Sequence, residues 1–462
     1  MYGVKVVTGA AATVLLLTCA GPVPVLADTI EAALVRSYQG NPQLNSQRAQ
    51  VRVTDENVPQ ALSGYRPKVA LTASGGVQYS DQQVNQGVHA GIHGTQTPKA
   101  VGLTVNQTVY DGQITANKVR AAEGQVSGSR EALRVLEETV LLNAATIYMD
   151  YLRDAATVEV QRSNVHVLEE TLKQTRDRFN VGEVTRTDVA QAEAQLAAGK
   201  TQELTAESQL VTTKANFRRI IGNEPSNLAP GSPVDRFLPK SMAAAVDVSL
   251  IENPNVTAAM YGVDVAFLNV KINEGALLPT LNVQAAVNQS YEQQLTIFKT
   301  FNASLTAQLT VPIYQGGTEY SLIRQSKETV TQQRLALDQT RDQVRATTVQ
   351  SWGQLEANKA QVVSAQAQVT AAEVALNGVR EEAKAGQRTT LDVLNAQQAL
   401  VNARIALVTA QHDRVVSSYS VLSSVGRLSP QVLGLATQVY DPTVHYQQVR
   451  DSWVGVRTPD GK

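Results

Sequence analysis

Apolar residues recur at every seventh position over two long stretches of this chain. The first row contains Val119, Val126, Leu133, Val140 and Ile147 and, after a shift of four, Tyr151, Val158, Val165, Leu172 and Phe179. The second row contains Ile323, Val330, Leu337, Val344 and Ser351, then Leu355, Val362, Val369, Leu376 and Ala383. Sustained heptads predict helices packed as coiled coils, and the shift is a stutter in the supercoil. About 70 proline-free residues predict a rod of roughly 105 Å.

Shorter stretches ahead of each rod alternate apolar and polar residues with period two. The apolar positions are Val101, Leu103, Val105 and Val109 in one stretch and Leu305, Ala307, Leu309, Val311 and Ile313 in the other. Residues 68–79 and 280–291 have the same alternation and are their predicted hairpin partners. The pattern is typical of a membrane strand with lipid on one side and water on the other. Taken alone, it fits a half-buried strand of a soluble sheet equally well, and the export signal predicted at residues 1–27 favours the membrane strand.

The chain is an internal duplication. Asn41-Pro42 recurs as Asn253-Pro254 at an offset of 212, whereas residues 109–112 recur as 313–316 at an offset of 204. The offset changes only once, by eight residues, which predicts a longer loop in the first hairpin. The constant offset that follows predicts rigid rods of equal length.

Each rod ends at a predicted tight turn that leads into a return helix. A glycine stands where a helix C-terminus needs a left-handed residue, and a Thr-x-x-Asp capping box follows it. The residues in these roles are Gly182, Thr185 and Asp188 in the first copy and Gly386, Thr389 and Asp392 in the second.

These elements divide the chain into four segments. Residues 1–27 have the charged start, apolar stretch and small-residue end of an export signal, and acylation at Cys19 is the alternative. The first repeat covers 28–239, with a hairpin at about 68–110, a long helix at about 112–180 and a return helix at about 185–221. The second covers 240–428, with a hairpin at about 280–314, a long helix at about 316–384 and a return helix at about 389–425. The proline- and glycine-containing tail, 429–462, is expected to be partly ordered at most.

Composition narrows the possible functions. The net charge of −1 gives no electrostatic reason to expect a nucleic-acid partner. Cys19 is the only cysteine, so cleavage of the signal leaves neither a disulfide nor a thiolate nucleophile. No catalytic set or phosphate-binding loop stands out, which predicts a protein that is not an enzyme and has no cofactor. His89 and His93 lie among glycines in the predicted loop and are not expected to bind metal.

The predicted strands require several chains. After the signal no run approaches the roughly 18–20 apolar residues of a membrane helix, so spanning a membrane would need strands closed into a barrel. Four strands per chain are too few, because the smallest single-chain barrels use about eight. We therefore expect an obligate oligomer that is mainly α with a β-barrel contribution.

The duplicated plan resembles the TolC family of outer-membrane factors. The resemblance rests on the two tip motifs, Arg178 to Val189 and Gly386 to Leu394, and on the tail from Tyr440 to Trp453. The stretch from Gly182 to Glu193 is especially similar to members that serve type I protein secretion. The resemblance implies an outer-membrane homotrimer in contact with lipid, with a barrel of twelve strands, four from each chain, above a periplasmic α-barrel of twelve helices. It also implies a periplasmic adaptor and an inner-membrane ABC or proton-driven transporter as partners.

The resemblance also assigns roles to residues. It implies a periplasmic gate at the helix tips, with an acidic ring in the pore. Matching positions are Thr187, Asp188, Arg388, Asp392 and Asn395 for the gate and Gly182, Val184, Thr185, Gly386 and Thr389 for the turns that contact the adaptor. Two positions depart from the family pattern, since Ala383 replaces a gate tyrosine and Asn395 replaces a second acidic residue.

Simpler structural roles for these residues, and other protein classes, also remain open. Asp188 and Asp392 have a sufficient role as capping residues. Arg388 and Asp392 also have the spacing of a solvated i,i+4 ion pair. Other protein classes are a periplasmic adaptor, which should have one helical hairpin, and a trimeric surface fibre, which should have one C-terminal anchor. Secreted proteins and small molecules both fit a passive duct as cargo.

Overall fold

The two repeats form matching sets of helices and strands. The computed structural model describes residues 28–85, 89–459 and 461, and the predicted export signal lies outside the described residues. The first repeat contains α1 (Ile30–Gly40), α2 (Pro42–Asp55), α3 (Asn57–Leu62), β1 (Lys68–Gly75), β2 (Gln78–Asn85), β3 (His89–Gln96), β4 (Lys99–Tyr110), α4 (Ile114–Asn180) and α5 (Arg186–Ile221). The second contains α6 (Met242–Glu252), α7 (Pro254–Gly275), β5 (Thr280–Gln294), β6 (Ile297–Thr310), α8 (Thr318–Lys384) and α9 (Thr390–Ser424). Two short helices follow, α10 (Pro430–Leu433) and α11 (Thr443–Val449).

The long helices α4 and α8 have 67 residues each, which corresponds to about 100 Å. The first half of the heptad row in α4, from Val119 to Ile147, is buried. Towards one end α4 packs against α5 and α8 packs against α9, while α9 also contacts α4. Towards the other end α7 lies between α4 and α8. The predicted coiled-coil packing is therefore present in both repeats.

One antiparallel sheet joins the repeats, in the order β1-β4-β5-β6. The central pair is β4 and β5, with Leu103 opposite Val287. In the described part of the chain, β1 and β6 each have a partner on one side only.

The structure corrects two expectations about the strands. The extra residues of the first copy are not simply a longer loop, because β2 and β3 pair in a second, two-stranded sheet. Val311 and Ile313 continue the alternation in sequence but lie outside β6, which ends at Thr310. Its neighbour β5 begins at Thr280, opposite Thr310, so the chain beyond has no strand to pair with.

The main core lies where α1, α4, α5 and α9 meet. Phe217 packs there beside Tyr148, with ring centroids 6.4 Å apart. The hydroxyl of Tyr148 donates to the carbonyl oxygens of Asp28 and Ala229, at 2.7 and 2.6 Å. These two contacts hold Asp28, just before α1, and Ala229, after α5, against α4.

The C-terminal tail is more structured than expected. The guanidinium of Arg48 lies over the rings of Tyr38 and Tyr440, at 4.5 and 5.3 Å. Nδ1 of His445 lies 3.0 Å from a carboxylate oxygen of the fully buried Asp55. These contacts involve aromatic residues at irregular spacing, so no periodic pattern in the sequence predicted them.

No helix in the described ranges has both the length and the apolar character needed to cross a membrane.

Candidate functional site

The first helix tip is a closed turn built from local hydrogen bonds. Gly182 has a φ of +81°, and its N–H donates to the carbonyl of Phe179 at 3.0 Å. The next N–H, of Glu183, donates to Arg178 at 2.9 Å. This pair of bonds is the Schellman arrangement, which ends a helix and reverses the chain.

The return helix α5 starts with the predicted capping box. The backbone N–H and the hydroxyl of Thr185 donate to Asp188, at 2.9 and 2.7 Å. The N–H of Asp188 donates back to the Thr185 hydroxyl at 3.3 Å. The structural role predicted for both residues is confirmed.

The second tip repeats this geometry. Gly386 has a φ of +77° and donates to Ala383 at 3.1 Å. Thr389 donates to Asp392 through its N–H and its hydroxyl, both at 2.9 Å. The two turns therefore share one backbone design and differ in the side chains that they present.

Arg388 is held by a different carboxylate from the one that its spacing suggested. Its Nε donates to Glu382 on α8 at 2.8 Å. Asp392 is instead occupied by the hydrogen bonds from Thr389. The ion pair of Arg388 thus closes the turn onto the end of the long helix, and the simple i,i+4 pair is not formed.

The remaining predicted positions lie on the same two tips. Thr187 and Asn395 are exposed, while Val184 and Ala383 are half-buried. Within the described residues, the side chains of Thr187 and Asn395 make no hydrogen bond inside the chain. Their side chains are therefore available to another chain.

A basic cleft between the two coiled coils was missed by the sequence analysis. It has a volume of about 380 Å³ and separates the end of α4 from the ends of α8 and α9. Arg178, Arg380, Lys384 and His166 contribute to its walls. The heptad pattern does not predict this cleft, because it does not show which cationic side chains on a helix surface face a neighbouring helix.

Polar side chains also link the repeats just behind the tips. Arg380 donates to Gln397 at 3.0 Å, and Gln397 donates to Asn164 on α4 at 3.3 Å. Gln195 on α5 donates to Gln398 on α9 at 3.1 Å. The polar Asn164, next to the heptad residue Val165, was the one available signal in the sequence.

The two capping aspartates are stabilised as anions. Hydrogen bonds from the side chain and backbone of Thr185 lower the pKa of Asp188. Hydrogen bonds from the backbone and side chain of Thr389, with a smaller contribution from Arg388, lower the pKa of Asp392. Because both pKa values are depressed, capping is fully present above the ordinary aspartate pKa and is lost as the pH falls through the folded value.

Replacing Thr389 with alanine is expected to loosen the second tip. Loss of an N-cap costs about 1 kcal/mol, so amide exchange around 386–392 should rise roughly fivefold. Hydrogen exchange with mass spectrometry measures this locally. Thr185→Ala is the matched control and should affect only 182–188, and equal exchange in wild type and both variants would contradict the capping role.

Comparison with known proteins agrees with this architecture. The family model described as outer membrane efflux protein matches residues 33–223 and 245–427, one block in each repeat. The chain is 41% identical over 438 residues to outer membrane efflux protein BepC of Brucella suis, covering 95% of this chain and 94% of BepC. It is 27% identical to outer membrane protein TolC of Vibrio cholerae, covering 88% and 92% of the two chains.

Solved structures show the same fold. The Campylobacter jejuni CmeC outer membrane channel superimposes with a TM-score of 0.76 at 16% identity, over 91% of this chain and 89% of CmeC. The predicted family and localisation are confirmed, and neither a single-hairpin adaptor nor a surface fibre fits a match to both repeats. The chain therefore belongs to the outer membrane efflux protein family.

Proposed function

We propose that three copies of this chain assemble into a passive exit duct through the outer membrane, for secreted proteins, small molecules or both. The observation that carries the proposal is that, among the described residues of a single chain, the sheet and the helical layer both end in unpaired edges. Each edge needs a partner, and a second copy of the same chain offers the complementary edge.

The sheet provides the first pair of edges. Exposed backbone groups along β1 and β6 form a template for further strand pairing. Leu71 on β1 and Leu305 on β6 are 74% and 76% exposed, which suits a lipid-facing surface. Pairing β6 of one copy with β1 of the next extends the sheet, and three copies give twelve strands, four from each.

The helices provide the second pair. Leu335, Val349, Val363 and Val374 form one apolar stripe along α8, away from its core-facing row. Leu204 and Val211, on α5, are seven residues apart and also share a face. Because α5 and α8 lie at opposite ends of the order α5-α4-α9-α8, joining them head to tail closes a ring.

The helix tips lie at the far end of the rods from the sheet. In the proposed assembly they project into the periplasm, where an adaptor protein contacts the turns at Gly182, Val184, Thr185, Gly386 and Thr389. An inner-membrane ABC or proton-driven transporter supplies the energy, since the duct itself has no catalytic role. Thr187, Asp188, Arg388, Asp392 and Asn395 form the gate, with Asp392 lining the entrance.

Single-channel conductance of the detergent-purified protein tests both the duct and the gate. Arg388→Ala removes the ion pair with Glu382 and is expected to enlarge the conductance steps several-fold, because the second tip is then less firmly held. Lys384→Ala is the control, since Lys384 is another exposed cation of the same tip, paired with Glu381. Unchanged steps in Arg388→Ala would remove the gating role, and no channels from folded oligomer would remove the duct.

A further inference from the structure

A cavity opens part-way along the two long helices, α4 and α8. There α9 ends and α7 begins, between α4 and α8, and the Asn253 side chain donates to the carbonyl of Ser424 at 2.9 Å. The cavity has a volume of about 610 Å³. That is within the range of about 300–1,000 Å³ that is typical of small-molecule sites.

One ionisable side chain, Glu138 of α4, contributes to the cavity wall. The other polar side chains of the wall are neutral hydroxyls and amides, such as Thr139, Gln339, Thr340 and Gln343. They can hydrogen-bond to a ligand but carry no charge of their own. The charge preference of the cavity is therefore set by Glu138.

Glu138 has no fixed partner in the described part of the chain. Its side chain makes no hydrogen bond or ion pair there, although the residue is only 6% exposed. The adjacent Glu137 accepts a hydrogen bond from the hydroxyl of Tyr38 at 3.1 Å. Arg134, one turn earlier, is paired with Glu131 at 2.8 Å. The residue is buried as a whole, but its carboxylate oxygens remain accessible to solvent, so a ligand that enters the cavity can reach them.

Two helix ends of opposite polarity line the cavity, and the start of α7 at Asn253 and Asn255 offsets the end of α9. Ser423 and Ser424 line the cavity at the C-terminus of α9, where the helix dipole favours positive charge. Burial raises the pKa of Glu138 to about 8, so the carboxyl is mostly protonated at neutral pH when the cavity holds no cation. A bound cation would lower the pKa of Glu138 again, because a nearby positive charge favours the ionised carboxylate.

We propose that this cavity binds a monovalent organic cation with N–H donors, an ammonium or guanidinium head group, and that Glu138 is its counter-ion. The volume is much larger than a bare metal ion needs, and a single carboxylate matches a single positive charge. A guanidinium can donate two parallel hydrogen bonds to the carboxylate. The site lies far from the tips and goes beyond the proposed duct, on which it does not depend.

Binding by this site is linked to pH. The charged groups acting on Glu138 from its own helix are Arg134, Glu137 and Glu131, while the cavity residues of α7, α8 and α9 are uncharged. The cation needs the ionised carboxylate, whose fraction falls from about 0.9 at pH 9 to about 0.01 at pH 6 for a pKa of about 8. The apparent affinity should therefore be roughly 100-fold lower at pH 6.

Calorimetric titration of the full-length oligomer in detergent tests the proposal with benzylguanidinium, which stays charged over this pH range. We expect saturable binding at pH 9 that weakens on the order of 100-fold at pH 6. Benzylurea, a neutral probe of almost the same shape, should not bind measurably. Glu138→Gln keeps the size of the side chain and should abolish binding of benzylguanidinium.

Two further variants distinguish the site from general effects. Ala336→Phe fills the cavity from α8 while keeping Glu138, and it should also abolish binding. Glu137→Gln removes the neighbouring carboxylate, which does not line this cavity, and should leave the affinity within about threefold. The proposal is overturned if wild type fails to bind at pH 9, if benzylurea binds equally well, or if folded Glu138→Gln keeps the wild-type affinity.

Discussion

Gly426→Ala is expected to destabilise the protein by about 2–5 kcal/mol, the sum of left-handed strain and overpacking. Gly426 has a φ of +86°, where an alanine is strained. A Cβ at this position would also lie 2.6 Å from the Cα of Asn253 and 2.8 Å from the carbonyl oxygen of Glu252. Both obstacles are backbone atoms, so neither can rotate away. The end of α9 and the start of α7 would have to separate.

The duplication supplies the matched control for this substitution. Gly222 is the first-copy equivalent and has a φ of +95°, but an added Cβ there meets nothing within 4 Å. Gly222→Ala should therefore cost only the conformational strain, about 1–2 kcal/mol. Thermal unfolding followed by circular dichroism at one scan rate compares the two variants. Equal losses in both would contradict the steric explanation at Gly426.

The bidentate ion pair beside Gly426 explains why this junction is so closely packed. Arg427 donates to both carboxylate oxygens of Glu252, at 2.6 and 2.7 Å. The pair draws the residue after Gly426 towards the last turn of α6. Separation of the helices by an alanine side chain would therefore also strain this pair.

Val363→Glu combined with Val374→Glu is expected to abolish assembly. The two valines are 72% and 68% exposed in the single chain and stand three turns apart on one face of α8. In the proposed trimer they are buried against the next copy, where two unpaired carboxylates in each interface are strongly unfavourable. Light scattering with size-exclusion chromatography should give monomer in place of trimer.

A second double variant controls for the added charge. Gln361 and Gln368 are exposed on the same helix, about 150° around it from the valine stripe. Gln361→Glu with Gln368→Glu adds the same charge and should leave the trimer intact. Trimer in the valine variant would show that the stripe is not an interface, and monomer in both would implicate charge alone.

Much of this fold can be predicted because its strongest signals are local. Heptads place Val126 and Leu133 in the core, and alternation places Leu103 and Leu305 on strands. The capping boxes at Thr185 and Thr389 need only three residues of spacing, so the turns were predictable in detail. The duplication strengthened each prediction, because every pattern occurs in both repeats.

The contacts between distant segments could not be predicted from the sequence. The ion pair of Arg388 with Glu382 replaced the expected i,i+4 pair, because the turn brings the end of α8 closer than the next helix turn. The path of β2 and β3 depended on strand pairing, which an eight-residue change of offset does not specify. The gate residues stay a prediction, since their partners would lie on another chain.

By itself, the sequence determined the repeats, the rods, the strands and the two tips, since each follows from periodicity or from a motif within a few residues. Only the tertiary structure decided that the tail packs on α2 through His445 and Asp55, that Gly426 touches Asn253, and that Glu138 is buried at a cavity. These facts depend on which surfaces meet over hundreds of residues of chain. A carboxylate in a heptad helix looks solvent-exposed in sequence, and its burial is set by the helices that pack around it.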